Sequence, residues 1–155
     1  MQINLISVGN RMPQWVQQGY DEYARRLPKE CELILKEVVP GKRGKNSDVA
    51  RIVRDEGERM LNVIPARAHV VTLDVPGKPW TTLDVAKAMS RWMESGQHIA
   101  VLIGGPEGLA DSAKELARES WSLSNLTFPH PLVRIVVAEQ LYRAWSIINN
   151  HPYHR

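Results

Sequence analysis

HIAVLIGGPEGLADSAKELARESWSLSNLTFPHPLVR, residues 98 to 134, decides how the chain is read. The run Ile99 to Ile103 is apolar throughout, lacks helical spacing and stops at Gly104-Gly105-Pro106, which predicts a strand buried on both faces and then a tight turn. In such sheets ligands sit at strand carboxyl ends. Two adjacent glycines clear side chains from the place where a ligand would lie against backbone, and Gly108 adds a further relaxed position. The helix expected next carries Leu109, Ala113, Leu116 and Ala117, with Glu107 near its N-terminus, where negative charge suits the dipole. A second loop, Ser122 to Pro131, is rich in Ser, Asn and Thr and closes with Pro129-His130-Pro131, so it is stiff at one end and full of hydrogen-bonding groups. Pro131 falls in the first turn of the last helix, where a missing N–H costs nothing. Local chemistry leaves two readings of both loops open, a ligand-binding pair or ordinary strand-to-helix punctuation.

Outward from this stretch, strands and helices alternate. Strands are expected at Ile3 to Val8, Glu32 to Val39, His69 to Val75 and near Trp121 to Leu123, the third broken by Pro76-Gly77-Lys78-Pro79. Helices are expected at Pro13 to Tyr23, after an N-cap at Ser47, after Thr81 or Thr82, and from Pro131 to Ile148. Strands separated by helices specify an α/β domain with a mostly parallel sheet covered on both faces. A length of 155 residues points to a single domain over residues 1–155, without repeats or linkers.

The composition, 43% hydrophobic and 24% charged, is that of an ordinary globular protein. A lone cysteine, Cys31, forms no internal disulfide and indicates a reducing, cytoplasmic setting. Neither a signal peptide nor a run of transmembrane length is expected. A net charge of +3 permits an anionic partner without requiring one. Pro40 to Ser47 lacks the first glycine of a phosphate-binding loop, no GxGxxG follows the first strand, and the histidines have no acidic or cysteine partners at metal-ligand spacing. A Rossmann dinucleotide site and a metal centre are therefore not expected.

Lys42, Arg43 and Lys45 form a basic loop that reads either as a phosphate-backbone contact or as a solvated surface. Glu139 and Arg143 have the spacing of a helical salt bridge. The helix that carries them is apolar nearly all round, more than one face needs, which points to a subunit interface. The tail His151 to Arg155 is dense in polar and cationic groups, where an inert terminus would fray.

The strings LIGGPEGL (Leu102 to Leu109), SWSLS (Ser120 to Ser124), FPHPLVR (Phe128 to Arg134), AEQLYRAWSI (Ala138 to Ile147) and NHPYHR (Asn150 to Arg155), with VTLDVPGKPW (Val71 to Trp80) and PGKRGKN (Pro40 to Asn46), closely resemble the ribosomal large subunit methyltransferase H family. The resemblance runs from Met1 to Arg155. It implies a SPOUT-type fold with a C-terminal trefoil knot, a homodimer, and S-adenosyl-L-methionine-dependent methylation of N3 of a pseudouridine in 23S rRNA, within the large subunit or the whole ribosome. By position it implies a cofactor pocket at Leu73, Gly104 and Leu123, Ser124, Asn125, Leu126, Thr127 and Phe128. It also implies catalytic roles for Glu139, Tyr142, Arg143, His154 and Arg155, the last two reaching a partner subunit's pocket. RNA contact is implied for Lys42, Arg43 and Lys45, with Arg25 and Arg26 as further candidates. The alternative is a non-catalytic ribosome- or RNA-binding protein of the same fold. A flavodoxin-like small-molecule binder is a third reading.

Overall fold

The computed structural model describes residues 1–155. Five strands, β1 (Gln2–Val8), β2 (Glu32–Val38), β3 (His69–Pro79), β4 (Ile99–Ile103) and β5 (Glu119–Ser122), form one sheet in the order β2-β1-β4-β3-β5, with every pairing parallel. The helices are α1 (Gln14–Ala24), α2 (Val49–Asn62), α3 (Thr82–Ser95), α4 (Asp111–Leu116) and α5 (His130–Ile148), with short 3-10 turns at Lys29–Cys31 and Pro152–His154. No helix is long and apolar enough to cross a membrane.

Period-two alternation in the central strands explains the layers. Ile3, Leu5, Val71, Ile99, Val101 and Ile103 face one side, where they pack with Tyr20 of α1, Met89 and Trp92 of α3, and Val137 and Leu141 of α5. Ile6, Val8, Val70, Ala100 and Leu102 face the other, against Met60 of α2 and Ala113 of α4. Helices thus cover both faces, as the buried, non-alternating strands require. Two glycines set the helix spacing: a Cβ at Gly19 would lie 2.9 Å from Ile135 of α5, and one at Gly57 would lie 2.5 Å from the Cβ of Ala110, just before α4.

Several boundaries differ from the expected ones. β3 does not stop at Val75: Leu73 and Lys78 both pair with Trp121, so the residues between them bulge out and pairing resumes to Pro79. Gly77 permits this, because a Cβ there would meet Ser120, Asp74 and Trp121 within 2.9 Å. The cap of α2 is Asp48, whose carboxylate accepts from the Arg51 amide, while the hydroxyl of Ser47 accepts from the Gly44 amide. Thr81, by contrast, caps α3 in a full capping box with Asp84. α4 begins only at Asp111, so Leu109 and Ala117 flank it and Glu107 lies outside its first turn. α5 buries Val137, Ala138, Leu141, Tyr142 and Ala144 within the chain, and Leu132, Val136 and Ile148 stay half-exposed.

Candidate active site

The carboxyl ends of β3 and β4 open into a cavity of about 780 Å³. Its walls are three backbone segments: Leu73 to Val75 at the bulge of β3, Ile103 to Gly108 after β4, and the loop from Leu123 into α5, closed by Pro129, His130 and Val133. The turn after β4 is held by the Gly108 amide donating to the Gly105 carbonyl at 3.0 Å, and Gly108 takes a left-handed φ of +88°. Of the residues expected at a cofactor pocket, Leu73, Gly104, Leu123, Ser124, Leu126, Thr127 and Phe128 line this cavity; Asn125 is exposed and does not. Seven positions scattered over more than fifty residues are brought to one place because β3 and β4 are neighbours in the sheet.

Sequence reasoning missed Asp74, Val75 and Val133 as members of the wall, and took His130 only as part of the stiff end of the second loop. Asp74 and Val75 enter through the bulge, and Asp74 pairs with Lys114 at 3.5 Å. His130 is half-buried with no partner for its Nδ1, and burial, followed by the charges of Arg134 and Arg43, holds its imidazole below the ordinary range, so the ring is neutral near pH 7. The FPHP string was the available signal for His130, since the two prolines fix where the ring enters α5.

The basic loop touches this cavity through a single residue. Arg43 gives Nε and one terminal nitrogen to Glu107 at 3.1 and 2.6 Å, both terminal nitrogens to Glu56 at 3.0 and 3.1 Å, and a further bond to the Gly41 carbonyl. Glu56 is 2% exposed. These bonds raise the guanidinium pKa, Glu107 contributing most, and the same pairing holds the Glu107 carboxyl below the usual range. Arg43 therefore has its donors committed to the protein, whereas Lys42 and Lys45 are exposed and make no ion pair. Arg25 and Arg26 both pair with Glu22.

The expected catalytic group lies elsewhere in the chain. Glu139 accepts from Arg143 at 2.6 Å, from Gln140 at 2.9 Å and from the Tyr153 hydroxyl at 3.0 Å. Burial first, then that bond, pushes the Tyr153 hydroxyl up to about 12. The ring of Tyr153 lies 4.6 Å from that of Tyr142, with the guanidiniums of Arg143 and Arg26 over it at 5.2 and 5.9 Å. His154 approaches Ser146 at 3.3 Å, and Arg155 is exposed. The tail is thus ordered against the second half of α5, from Glu139, about 9 Å along the helix from Val133 at the cavity, to Ser146, about 20 Å along it.

No group of three or more His, Cys, Asp or Glu side chains converges to hold a metal. The cavity offers glycine backbone, hydroxyls and apolar side chains, the lining that takes a ligand of nucleoside size.

Two comparisons cover the whole fold. The family profile described as "Predicted SPOUT methyltransferase" matches residues 1–154. The ribosomal RNA large subunit methyltransferase H of Methylococcus capsulatus is 61% identical over 155 residues, 100% of both chains. A match of that extent leaves no strand, loop or tail outside it, and the chain belongs to the SPOUT methyltransferase family.

Proposed function

We propose that this protein is an S-adenosylmethionine-dependent methyltransferase that modifies N3 of a pseudouridine in 23S rRNA, in the large subunit or the whole ribosome, working as a cytoplasmic homodimer with its C-terminal segment threaded as a trefoil knot. The observation that carries the reading is the cavity itself: its walls are the segments at which the family resemblance puts the cofactor, and they stand at the carboxyl edge of a parallel sheet. The cofactor fits the residues present. About 780 Å³ lies within the range of small-molecule sites, and the glycines at 104, 105 and 108 expose backbone to its polar end. Leu73, Leu123 and Phe128 offer apolar area to its base. Bound there, the cofactor supplies a methyl group already activated on sulfonium.

The chain's own part is positioning and proton removal. Placing N3 in line with the methyl group is the larger contribution, worth up to about 7–11 kcal/mol when two reactants are fully oriented. The N3 proton needs an acceptor. Glu139 is a weak choice because its oxygens are taken by Arg143, Gln140 and Tyr153. We assign Glu139, Tyr142 and Arg143 to holding the tail, and His154 with Arg155 to the pocket of the partner subunit. The half-exposed Leu132, Val136 and Ile148 on α5 supply apolar area for that dimer.

The test is calorimetric titration with S-adenosylmethionine of the wild type and of Thr127→Trp, an exposed wall position where indole would fill the cavity. Saturable binding that the substitution removes, followed by transfer of labelled methyl to 23S rRNA, is the expected result. A folded dimer that binds no cofactor would leave a non-catalytic RNA-binding protein.

RNA binding by the basic loop has a separate signature. Changing Lys42 and Lys45 to Glu is expected to weaken rRNA or ribosome binding and to lower the slope of log affinity against log salt by about 1 for each phosphate that is no longer neutralised. Cofactor affinity should not change. Unaltered ribosome affinity at physiological salt would count against this role. Arg43 is left out of the variant because its reversal would put a third negative charge beside Glu56 and Glu107.

A further inference from the structure

A second, smaller cavity of about 190 Å³ lies between α1, β2 and α5, beneath the turn that follows β1. Two of its lining side chains are buried and have a polar atom without any partner. Tyr20 is 5% exposed with its hydroxyl unbonded, and Arg134 is 1% exposed with Nε unbonded. A buried donor left unpaired is costly, and native proteins rarely keep two at one spot without something to fill the need. The rest of Arg134 is fixed: it donates to Glu37 at 2.9 Å, to the Ser7 hydroxyl at 3.4 Å and to the Gly9 carbonyl at 3.3 Å. Arg134 is therefore a rigid group at the wall of the cavity, with its Nε covered in the free protein.

The charges at this cavity select the kind of ligand. Arg11 and Arg134 are matched by Asp21 and Glu37, so the lining has no net charge, and a phosphate dianion would meet two carboxylates. A neutral group that accepts from Tyr20 and Arg134 while donating to Glu37 or Asp21 satisfies every side. A lactam edge, a carbonyl beside a ring N–H, is such a group. Uracil-type bases and guanine carry it; adenine and cytosine do not. Met12, Val16 and Leu35 provide apolar walls for a ring, and the volume suits a single base.

The position also fits. Gly9, which accepts from Arg134, lies so close to His130 that a Cβ on it would be 2.9 Å from the imidazole, and His130 is part of the wall of the larger cavity. Arg134 follows His130 by one turn of α5, about 6 Å. An enzyme that reaches the Watson–Crick edge of one base must draw it from its stack, which leaves a neighbour unstacked as well. We infer that the Tyr20–Arg134 cavity is a base-recognition site that takes the lactam edge of a uracil-type or guanine nucleotide, one next to the methylated position in the RNA. This inference rests on the proposed RNA substrate for its source, but not for its chemistry.

The experiment is an NMR titration of the dimer with UMP, GMP, AMP and CMP, using wild type and Tyr20→Phe, beside cofactor binding and rRNA methylation on the same preparations. UMP and GMP should perturb the cavity residues and AMP and CMP should not, and Tyr20→Phe should weaken the effect about tenfold. The same variant should raise KM for rRNA with kcat and cofactor affinity retained. Because the hydroxyl has no partner in the free protein, its removal should leave Tm unchanged or higher. Equal response to all four nucleotides would show phosphate recognition and overturn the inference, as would no response at the cavity in a protein that binds its cofactor. A UMP and GMP pattern in a wild type that methylates no rRNA would sustain the site, assign it to free nucleotides and refute the proposed function instead.

Discussion

A protein lacking His154 and Arg155 is expected to fold, to bind S-adenosylmethionine as the full chain does, and to methylate rRNA about 10² to 10⁴ times more slowly, the range that a lost proton-transfer group produces. Folding should survive because Tyr153, not the last two residues, anchors the tail: its hydroxyl bonds to Glu139 and its ring packs on Tyr142. Cofactor affinity should survive because His154, beside Ser146, lies about 20 Å along α5 from Val133 of its own chain's cavity. The same separation makes a mixing experiment decisive. A tail-deleted protomer is at least about 10²-fold impaired and a Thr127→Trp protomer is inactive alone, yet a heterodimer holds one intact pocket and one intact tail on opposite subunits. Recovered activity, approaching half the wild-type rate for isolated heterodimer and about a quarter for a fully exchanged 1:1 mixture, is the expected outcome. If mixed subunits stay inactive, the tail does not act across the dimer.

Gly104→Ala should be the most damaging single-methyl change in the chain. A Cβ at this position would lie 2.4 Å from the carbonyl carbon of Gly108, 2.5 Å from its oxygen and 2.8 Å from the Leu109 nitrogen. All three are backbone atoms, so no side chain can turn aside and the Gly105 to Gly108 turn must open. The cost is about 1–3 kcal/mol, a fall in Tm of about 2–12 °C for a chain of this size. With the cavity wall displaced by about 1 Å, turnover should drop about 10²-fold. The neighbouring glycines are controls with different physics. A Cβ at Gly105 meets the side chains of Val8, Arg43 and Glu56 at 3.2 to 3.4 Å, which can give, and Gly108 has open space but a φ of +88°. Gly105→Ala should retain most of the stability, as read by thermal denaturation, whereas Gly108→Ala should lose about 1–2 kcal/mol through its positive φ alone. A loss at Gly105 equal to that at Gly104 would refute the backbone explanation.

The sheet was legible because its strands are nearly continuous apolar runs bounded by glycine and proline, and the loops at its carboxyl edge were legible for the same reason. Their convergence into one cavity was not, since it depends on β3 and β4 being neighbours, which no local pattern encodes. Pro76-Gly77-Lys78-Pro79 reads as a strand breaker, yet proline is tolerated beside a bulge and β3 resumes its pairing there. Ser47 and Asp48 are both good caps, and only the competing Gly44 amide decides between them. The basic loop was visible as charge. That Arg43 is spent on Glu107, sixty-four residues away, and on a buried Glu56 was invisible, as was the pairing of Tyr20 with Arg134 around one void.

The Arg43 bridge joins the segment that carries Lys42 and Lys45 to the wall that carries Glu107. Under the proposed function, the basic segment and the cavity wall share one guanidinium: a cofactor that draws Glu107 away from Arg43 would free that side of the basic segment, a polyanion that pulls on the segment would weaken the hold on Glu107, and thermodynamic reciprocity would make the two effects equal in size.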